Sequence, residues 1–410
     1  MAENPATSTR PPLGEREMIV LMALLMSLQA FGIDAMLPAL GEIAGEMNAP
    51  GNQRQLVISS YFLGAGIGAF FPGAFADRFG RRPVLAVGLI AYVGLSLACA
   101  LVTDFWGLIV IRVIQGIACA GLSVVPAAIV RDHVGGDRMA RLMSLIMMIF
   151  LLVPILAPAV GQGIMMVAGW RAIFGAMALM GVVVGSWVWF RLPESLAPEN
   201  MQEIDPRTIL RNMGHALSVR GSIGYVVGSA LVFGSLFGFL NSSQQLIGEA
   251  FGMGDYFALI FGGAVVGMVV ANFTNSRIVE RFGARRVGHT ALVFFILISS
   301  VMWLSAINGG QGLVEFVVLL SLNMAMLGFI GSNFSAIAMQ PFGQIAGAAS
   351  SVHTALRMGT GSILGGFIGY LYDGTTGPLA VSMLCCGLAG LIFILFSENG
   401  KLFGRPNAPS

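Results

Sequence analysis

Charge is what this sequence has least of. Only 10% of its 410 residues are Asp, Glu, Lys or Arg, against about 25% in an average soluble domain. With 56% hydrophobic residues, a soluble fold would have too little polar surface to cover its core. Lysine is nearly missing, since Lys401 is the single lysine among 22 basic residues. The four cysteines, Cys99, Cys119, Cys385 and Cys386, all lie in apolar runs without metal-ligand spacing to a histidine or another cysteine. They read as small apolar packing groups, and no metal site is expected. No Gly-x-x-x-x-Gly-Lys-Ser/Thr sequence occurs, so ATP is not the expected energy source. No Ser/His/Asp set and no soluble catalytic domain is present, which argues against an enzyme, and no sizeable extramembrane domain suggests a receptor. The alternation of a membrane barrel is also missing. A span must satisfy its own backbone in hydrocarbon, so the apolar runs are read as helices.

Twelve such runs are expected, at 18–40, 54–75, 83–102, 105–130, 139–165, 170–191, 221–247, 255–277, 286–306, 312–338, 346–371 and 378–397. Runs of this length span a bilayer. Residues 1–17 are polar and carry Pro5, Pro11 and Pro12, which predicts a mobile tail. The first run is too long for a typical signal segment and is read as an uncleaved helix. The only long polar connection, 192–220, splits the chain into an N-terminal bundle (18–191) and a C-terminal bundle (221–397), with a second tail at 398–410. The fold class is therefore an all-α membrane protein with two pseudo-symmetric six-helix halves.

A charged knot, Gly73-Ala-Phe-Ala-Asp77-Arg78-Phe79-Gly80-Arg81-Arg82-Pro83, lies between the second and third runs. A second knot, Val279-Glu280-Arg281-Phe282-Gly283-Ala284-Arg285-Arg286, follows 203 residues later at the matching place in the other half. With the amino terminus in the cytoplasm, 18 of the 22 basic residues fall on the inner side and two, Arg54 and Arg171, on the outer. Arg112 and Arg357 lie within the membrane. The positive-inside rule thus places both termini in the cytoplasm. Glycine is abundant; Gly64, Gly66 and Gly68, and Gly359, Gly361, Gly365, Gly366 and Gly369, allow close helix approach.

The twelve runs, the central connection and the twin knots resemble the major facilitator superfamily. Gly73-x-x-x-Asp77-Arg78-x-Gly80-Arg81-Arg82 matches its loop motif after the second helix. Arg112-x-x-Gln115-Gly116 resembles its buried-arginine motif, and Ala157-Pro158-x-x-Gly161 its antiporter motif. The antiporter match is partial, because Val153 and Pro154 stand where an earlier glycine is usual and Gln162 stands where a glycine pair often ends it. Ile33-Asp34-Ala35-Met36-Leu37-Pro38-Ala39-Leu40 is similar to the twelve-span drug:proton antiporters. Within them the chain looks most like the Bcr/CflA drug-resistance branch, which shares the Trp170-to-Phe174 and Leu192-to-Glu194 patterns. The resemblance covers roughly 17–397. It implies proton-coupled efflux of small amphipathic compounds, including antibiotics, by a monomer in a bacterial inner membrane. Protons are the coupling ion, no other cofactor is implied, and the partners are the bilayer and a small-molecule substrate, with no nucleic acid. A specific metabolite exporter or an uncoupled facilitator is the alternative.

Ionisable groups deep in a membrane are functional candidates. Asp34 is the only acidic side chain clearly inside a run, whereas Glu315 reads as interfacial. At ~1.5 Å per residue, Asp34 and Arg112 both lie about 10 Å below the outer ends of their helices, so an ion pair or shared cavity is expected. Pro38 has no N–H and leaves the carbonyl of Asp34 without its helical partner. Coupling is expected when Asp34, stabilised by Arg112 while ionised, takes up a proton in a closed apolar cavity. His353 and Arg357 are further cavity candidates. The resulting excess of buried positive charge favours neutral, zwitterionic or anionic substrates. Gln29, Tyr61, Gln115, Asn241, Gln244, Asn272 and Asn323 are candidate contacts. Met147, Met148, Met165 and Met166 read as adaptable packing. For the knots the resemblance implies a gate at the inner face. Asp77 would engage Arg131 and the positive end of the eleventh helix, locking the outward-facing state. Gly73, Arg78, Gly80, Arg81 and Arg82 belong to that gate. Glu280 and Arg281 form a weaker copy, with Ser276 and Ala284 at positions where the first knot has Gly73 and Arg81.

Overall fold

The computed structural model describes residues 13–49, 51–134, 136–197, 199, 201, 206–308 and 311–404. Twelve long helical segments are formed among the described residues, labelled α1 (Glu15–Glu46), α2 (Asn52–Gly68 continuing as Pro72–Phe79), α3 (Arg81–Leu101), α4 (Phe105–His133), α5 (Arg141–Ala168), α6 (Arg171–Arg191), α7 (Arg220–Ala250), α8 (Gly254–Phe282), α9 (Ala284–Ile307), α10 (Leu313–Phe342), α11 (Ala346–Tyr370) and α12 (Gly377–Ser397). Ten are individually long and apolar enough to cross a membrane. The two pieces of α2 meet at 48°, where Pro72 begins the second piece and cannot supply a helical N–H. α11 is long enough but dilutes its apolar content with Ser, Thr, Gly, His353 and Arg357. That composition suits a helix whose neighbours are protein on several sides.

The helices form two bundles of six. In the first, α2 packs on α4, α3 on α6, and α1 on α4, α5 and α6; in the second, α7 packs on α11 and α12, and α10 on α8 and α9. Glycines permit the closest of these approaches. A Cβ on Gly64 would lie 2.1 Å from the Val113 carbonyl oxygen, and one on Gly116 would lie 2.2 Å from that of Tyr61. A Cβ on Gly224 would likewise strike the Phe393 carbonyl of α12 at 2.2 Å.

Acidic residues tie the ends of α1 to α6. At the arginine-rich face, Glu17 accepts from Arg191 at 2.8 and 2.7 Å and from Trp187 Nε1 at 3.1 Å. At the arginine-poor face, Glu46 pairs with Arg171 and accepts from Trp170 Nε1 at 2.6 Å. The helix thus begins earlier than the expected run and ends later. Residues 1–12 and 405–410 of the expected tails lie outside the described residues, but Glu15 and Glu17 already belong to the first turn of α1, where acidic side chains complement the helix dipole. The polar connection also holds a helix, Pro206–Ser218, whose Ala216 packs with Phe342 at the end of α10 and Ala349 of α11.

Overpacking a tight helix contact costs about 1–3 kcal/mol. Gly64→Val is therefore expected to lower the midpoint of thermal unfolding in detergent. Gly73→Ala, with nothing within 4 Å of the added carbon, leaves it unchanged. Equal midpoints for the two variants would contradict the close α2–α4 contact.

Candidate functional site

The α-helical part of α1 ends at Asp34. The chain turns through Ala35 and Met36, passes through a tight turn at Leu37–Ala39, and resumes helix at Leu40. Pro38 supplies the break expected from its missing N–H. The Ala35 amide instead closes on Phe31 O at 3.1 Å and that of Met36 on Ile33 O at 3.2 Å. Gly161 of α5 sits directly against the break, where a Cβ would come within 2.0 Å of the Ala35 carbonyl oxygen. Pro158 is buried one turn earlier on α5. The antiporter-like motif and the Asp34 segment are therefore one packed unit.

Asp34 is 6% exposed. Its carboxylate makes no hydrogen bond or ion pair among the described residues. Arg112 does not pair with it and instead reaches the Gly32 carbonyl, two residues earlier on α1. The fully buried guanidinium donates from Nε to Val57 O at 3.1 Å, from Nη2 to Gly32 O at 3.1 Å and from Nη1 to Gln115 Oε1 at 2.9 Å. It stacks over Tyr61, 4.4 Å from the ring centroid, and lies 5.9 Å from that of Phe174. Gln115 donates onward to Ser96 Oγ at 3.0 Å, Ser96 to Tyr92 O at 2.6 Å, and Tyr92 to Leu28 O at 2.9 Å. The expected Asp34–Arg112 ion pair is thus replaced by backbone and side-chain acceptors from α1, α2 and α4. Spacing along the chain carries no information about which acceptor wins.

The other candidates divide. Gln29 lies beside Tyr61 without reaching hydrogen-bond geometry with its hydroxyl. Asn241 stands between the bundles, accepting from Ser59 Oγ at 3.0 Å and donating to Phe237 O at 2.7 Å. Asn323 is away from any shared space, enclosed by α9, α10 and α12 beside Ser299 and the sulfurs of Met302 and Met383. Asn272 bonds within the second bundle to Met268 and Ser332. His353 meets Ser229 Oγ at 3.0 Å, and the Arg357 guanidinium lies 5.2 Å from the Phe233 ring centroid.

The bundles meet along a seam at the arginine-poor face that sequence reasoning missed. Arg54 pairs with Glu249 at 2.5 Å and with Gln244 at 2.9 Å. Asn52 donates to the carbonyls of Tyr370 and Tyr372 at 3.1 and 2.8 Å. Gln55 bonds Gln245 and the Gly369 carbonyl, and Ser362 donates to Ser59 O at 2.6 Å. Phe62 packs edge-on against Phe237, and a Cβ on Gly66 would lie 3.0 Å from the Gly359 nitrogen. On the other flank Gln162 donates to the Gly254 and Asp255 carbonyls at 3.1 Å and accepts from Ala258 N at 3.3 Å. The residue that departs from the antiporter pattern is therefore a bridge from α5 to α8. These polar positions had no periodic signal, since each matters only through a residue roughly a hundred or more positions away.

The first knot is closed on its own bundle. Asp77 accepts from Arg81 Nη1 at 2.5 Å, and Arg81 Nε donates to Asp132 at 3.0 Å. Arg131, the expected partner, makes no ion pair with Asp77, although both line a polar cavity of about 490 Å³. Arg81 lies in the next helix with its side chain turned back by one turn, and it wins the contact. Gly80 has φ +97°, and a Cβ there would lie 2.6 Å from Glu194 Oε2. Glu194 caps the turn, accepting from the Arg81 and Arg82 amides at 2.9 and 3.1 Å. Arg82 Nη2 donates to Trp189 O at 2.8 Å, and Arg78 is exposed. The second knot repeats the turn at Gly283, φ +84°, but its ion pair differs. Arg285 pairs with Glu398 at 2.8 Å, and Glu398 also accepts from the Tyr225 hydroxyl at 2.6 Å. Burial pushes the Glu398 carboxyl up, but the two donors and the Arg285 charge together outweigh it and hold the group below its ordinary value. Glu280 forms no ion pair among the described residues, and the Arg281 guanidinium lies 5.5 Å from the Phe282 ring centroid.

Two six-helix bundles meeting across a polar seam, with twin charged turns at one face, define a membrane transporter of the major facilitator type. The Major Facilitator Superfamily model matches residues 22–366, and the chain belongs to that family. It is 28% identical over 388 residues to a bicyclomycin resistance protein homolog of Haemophilus influenzae, covering 94% of this chain and 97% of that protein. It is 30% identical to the multidrug resistance protein MdtL of Salmonella dublin, covering 91% and 93% respectively. This likeness places it with the Bcr/CflA branch. A solved D-xylose-proton symporter shares the fold, with TM-score 0.72 at 16% identity over 95% of this chain and all of that one.

Removing Arg112 would strand the Gly32 and Val57 carbonyls and Gln115, each loss costing about 1–3 kcal/mol. Arg112→Ala is expected to reduce folded yield and the unfolding midpoint. Asp34→Asn, which removes an unpaired carboxylate, does not lower that midpoint. A destabilised Asp34→Asn protein would show that Asp34 has a structural partner.

Proposed function

We propose that the chain exports small amphipathic compounds in exchange for protons, by alternating access of one central site. The carrying observation is Asp34, a buried carboxylate with no hydrogen bond or ion pair among the described residues, at a break in α1 packed against the antiporter-like Pro158–Gly161 segment. An unpaired carboxylate in apolar surroundings is costly. A proton is the smallest partner that removes the cost, and a polar or cationic group of the transported compound is the other. Broken helices are a recurring feature of transporter sites. The drug-resistance names of two relatives support a drug-like substrate class.

With the arginine-rich face in the cytoplasm of a bacterial cell, following the positive-inside rule, both termini are cytoplasmic and the seam closes the outer side. The conformation is then inward-facing. In that state the Asp77–Arg81–Asp132 cluster stays within the first bundle, and its release toward α11 belongs to the outward-facing state. The protein acts as a monomer in the inner membrane, with protons as its only coupling species.

Efflux from inverted vesicles across a panel of amphipathic compounds tests this reading. Wild type is expected to accumulate substrate when a pH gradient is imposed. Asp34→Asn is expected to lose gradient-driven accumulation while keeping counterflow of the same compound. Unchanged gradient-driven transport in Asp34→Asn removes Asp34 from coupling. A second check addresses the seam. In a background without the four native cysteines, a Ser59→Cys/Asn241→Cys pair is expected to cross-link and stop transport, with reduction restoring it. Transport unaffected by a formed cross-link contradicts alternating access through this seam.

A further inference from the structure

Two arginines stand within the membrane, and the fold treats them oppositely. Arg112 donates to three acceptors and lies over an aromatic ring. Arg357, on α11, has no ion pair and no hydrogen bond among the described residues. The Phe233 ring centroid lies 5.2 Å from its guanidinium carbon. Arg357 lies eleven residues from one end of α11 and thirteen from the other, which at ~1.5 Å per residue is about 17 and 20 Å. That is close to the middle of a 30 Å hydrocarbon layer, too deep for the side chain to reach either interface. Side-chain nitrogens with five N–H donors at this depth are costly unless acceptors come from elsewhere.

His353 lies one turn away on the same face of α11. The Ser229 hydroxyl gives its proton to Val226 O at 2.9 Å, so toward His353 it accepts, and Nε2 of the ring carries the hydrogen of the 3.0 Å contact. This fixes the ring and leaves Nδ1 outside that bond. Among the described residues no acidic side chain forms an ion pair with Arg357. A planar guanidinium with its fork unoccupied matches a planar oxyanion in two parallel hydrogen bonds.

We propose that Arg357 is the anchor for a carboxylate on the transported compound, steadied by His353, so that the exporter prefers acidic or zwitterionic amphipathic molecules over their neutral counterparts. The proposal rests on the export reading and assigns the substrate's charge. Asp34 handles the proton in the first bundle, and Arg357 handles the anion in the second.

The test uses the full-length protein in lipid nanodiscs and proteoliposomes, with a panel of aryl carboxylic acids and their methyl esters as probes. In wild type, at least one acid is expected to bind about tenfold more tightly than its ester and to be carried preferentially. In Arg357→Gln the acid-to-ester ratio falls to about one, and in Arg357→Lys it is partly kept, a charge-specific rescue that a packing role would not give. An unchanged ratio in Arg357→Gln overturns the proposal, as does a wild type that favours esters. Esters exported without preference for acids defeat this inference and leave the export reading standing. A wild type that carries no probe against a pH gradient defeats both.

Discussion

The governing constraint is the cost of a polar group that hydrocarbon surrounds and nothing satisfies. The chain keeps few charges inside its spans and disposes of each in a definite way. Arg112 donates to two carbonyls and to Gln115, so it joins α1, α2 and α4 at one corner. Among the described residues, Asp34 and Arg357, in opposite bundles, make no ion pair or hydrogen bond. The acidic residues at the ends of α1, Glu17 and Glu46, are spent on fastening that helix to α6. A broken helix held at both ends and packed on Gly161 in the middle can carry an unpaired carboxylate without unravelling.

Polar contacts are distributed unevenly between the two faces. At the arginine-poor face the bundles share a row of hydrogen bonds from Asn52 to Ser59 along α2, with one ion pair, Arg54–Glu249. At the other face each charged turn closes within its own bundle, through Asp77–Arg81–Asp132 in one and Arg285–Glu398 in the other. Neutral amides and hydroxyls suit a seam that must open, because each bond contributes only about 0.5–1.5 kcal/mol net and water can replace it. A row of buried ion pairs would be harder to part.

The helices were legible because hydrophobic length in a membrane is nearly a sufficient signal. The break at Asp34 followed from Pro38, and the paired turns followed from Gly80 and Gly283 with their arginines. Partner choice was not legible. Arg112 appeared to be a counter-ion for Asp34, and Asp77 for Arg131, because sequence shows proximity in depth and not the angle around a helix. Asn323 looked like a cavity residue and lies among α9, α10 and α12, since polarity alone does not say which neighbour a helix face meets. Asp132 and Glu398 went unnoticed, and Glu194 stood out only as the end of a Leu-Pro-Glu pattern, because a capping carboxylate declares itself only once the turn it caps has a shape. Gln162 was noticed as a departure from a motif, and only the fold gives that departure a purpose.

Gly66 and Gly359 meet near the inner limit of the seam without side chains to interlock, and this gives the interface the mechanics of a lever. From Gly66 to Asn52 the arm is fourteen residues, about 21 Å at the helical rise. A rocking of about 10° around that bare contact swings the far end by about 4 Å. That displacement carries donors and acceptors now near 3 Å apart beyond hydrogen-bonding range. The bonds nearest the fulcrum, at Ser59, move least. The seam would therefore part from its rim inward, with Arg54–Glu249 yielding before Ser59–Asn241.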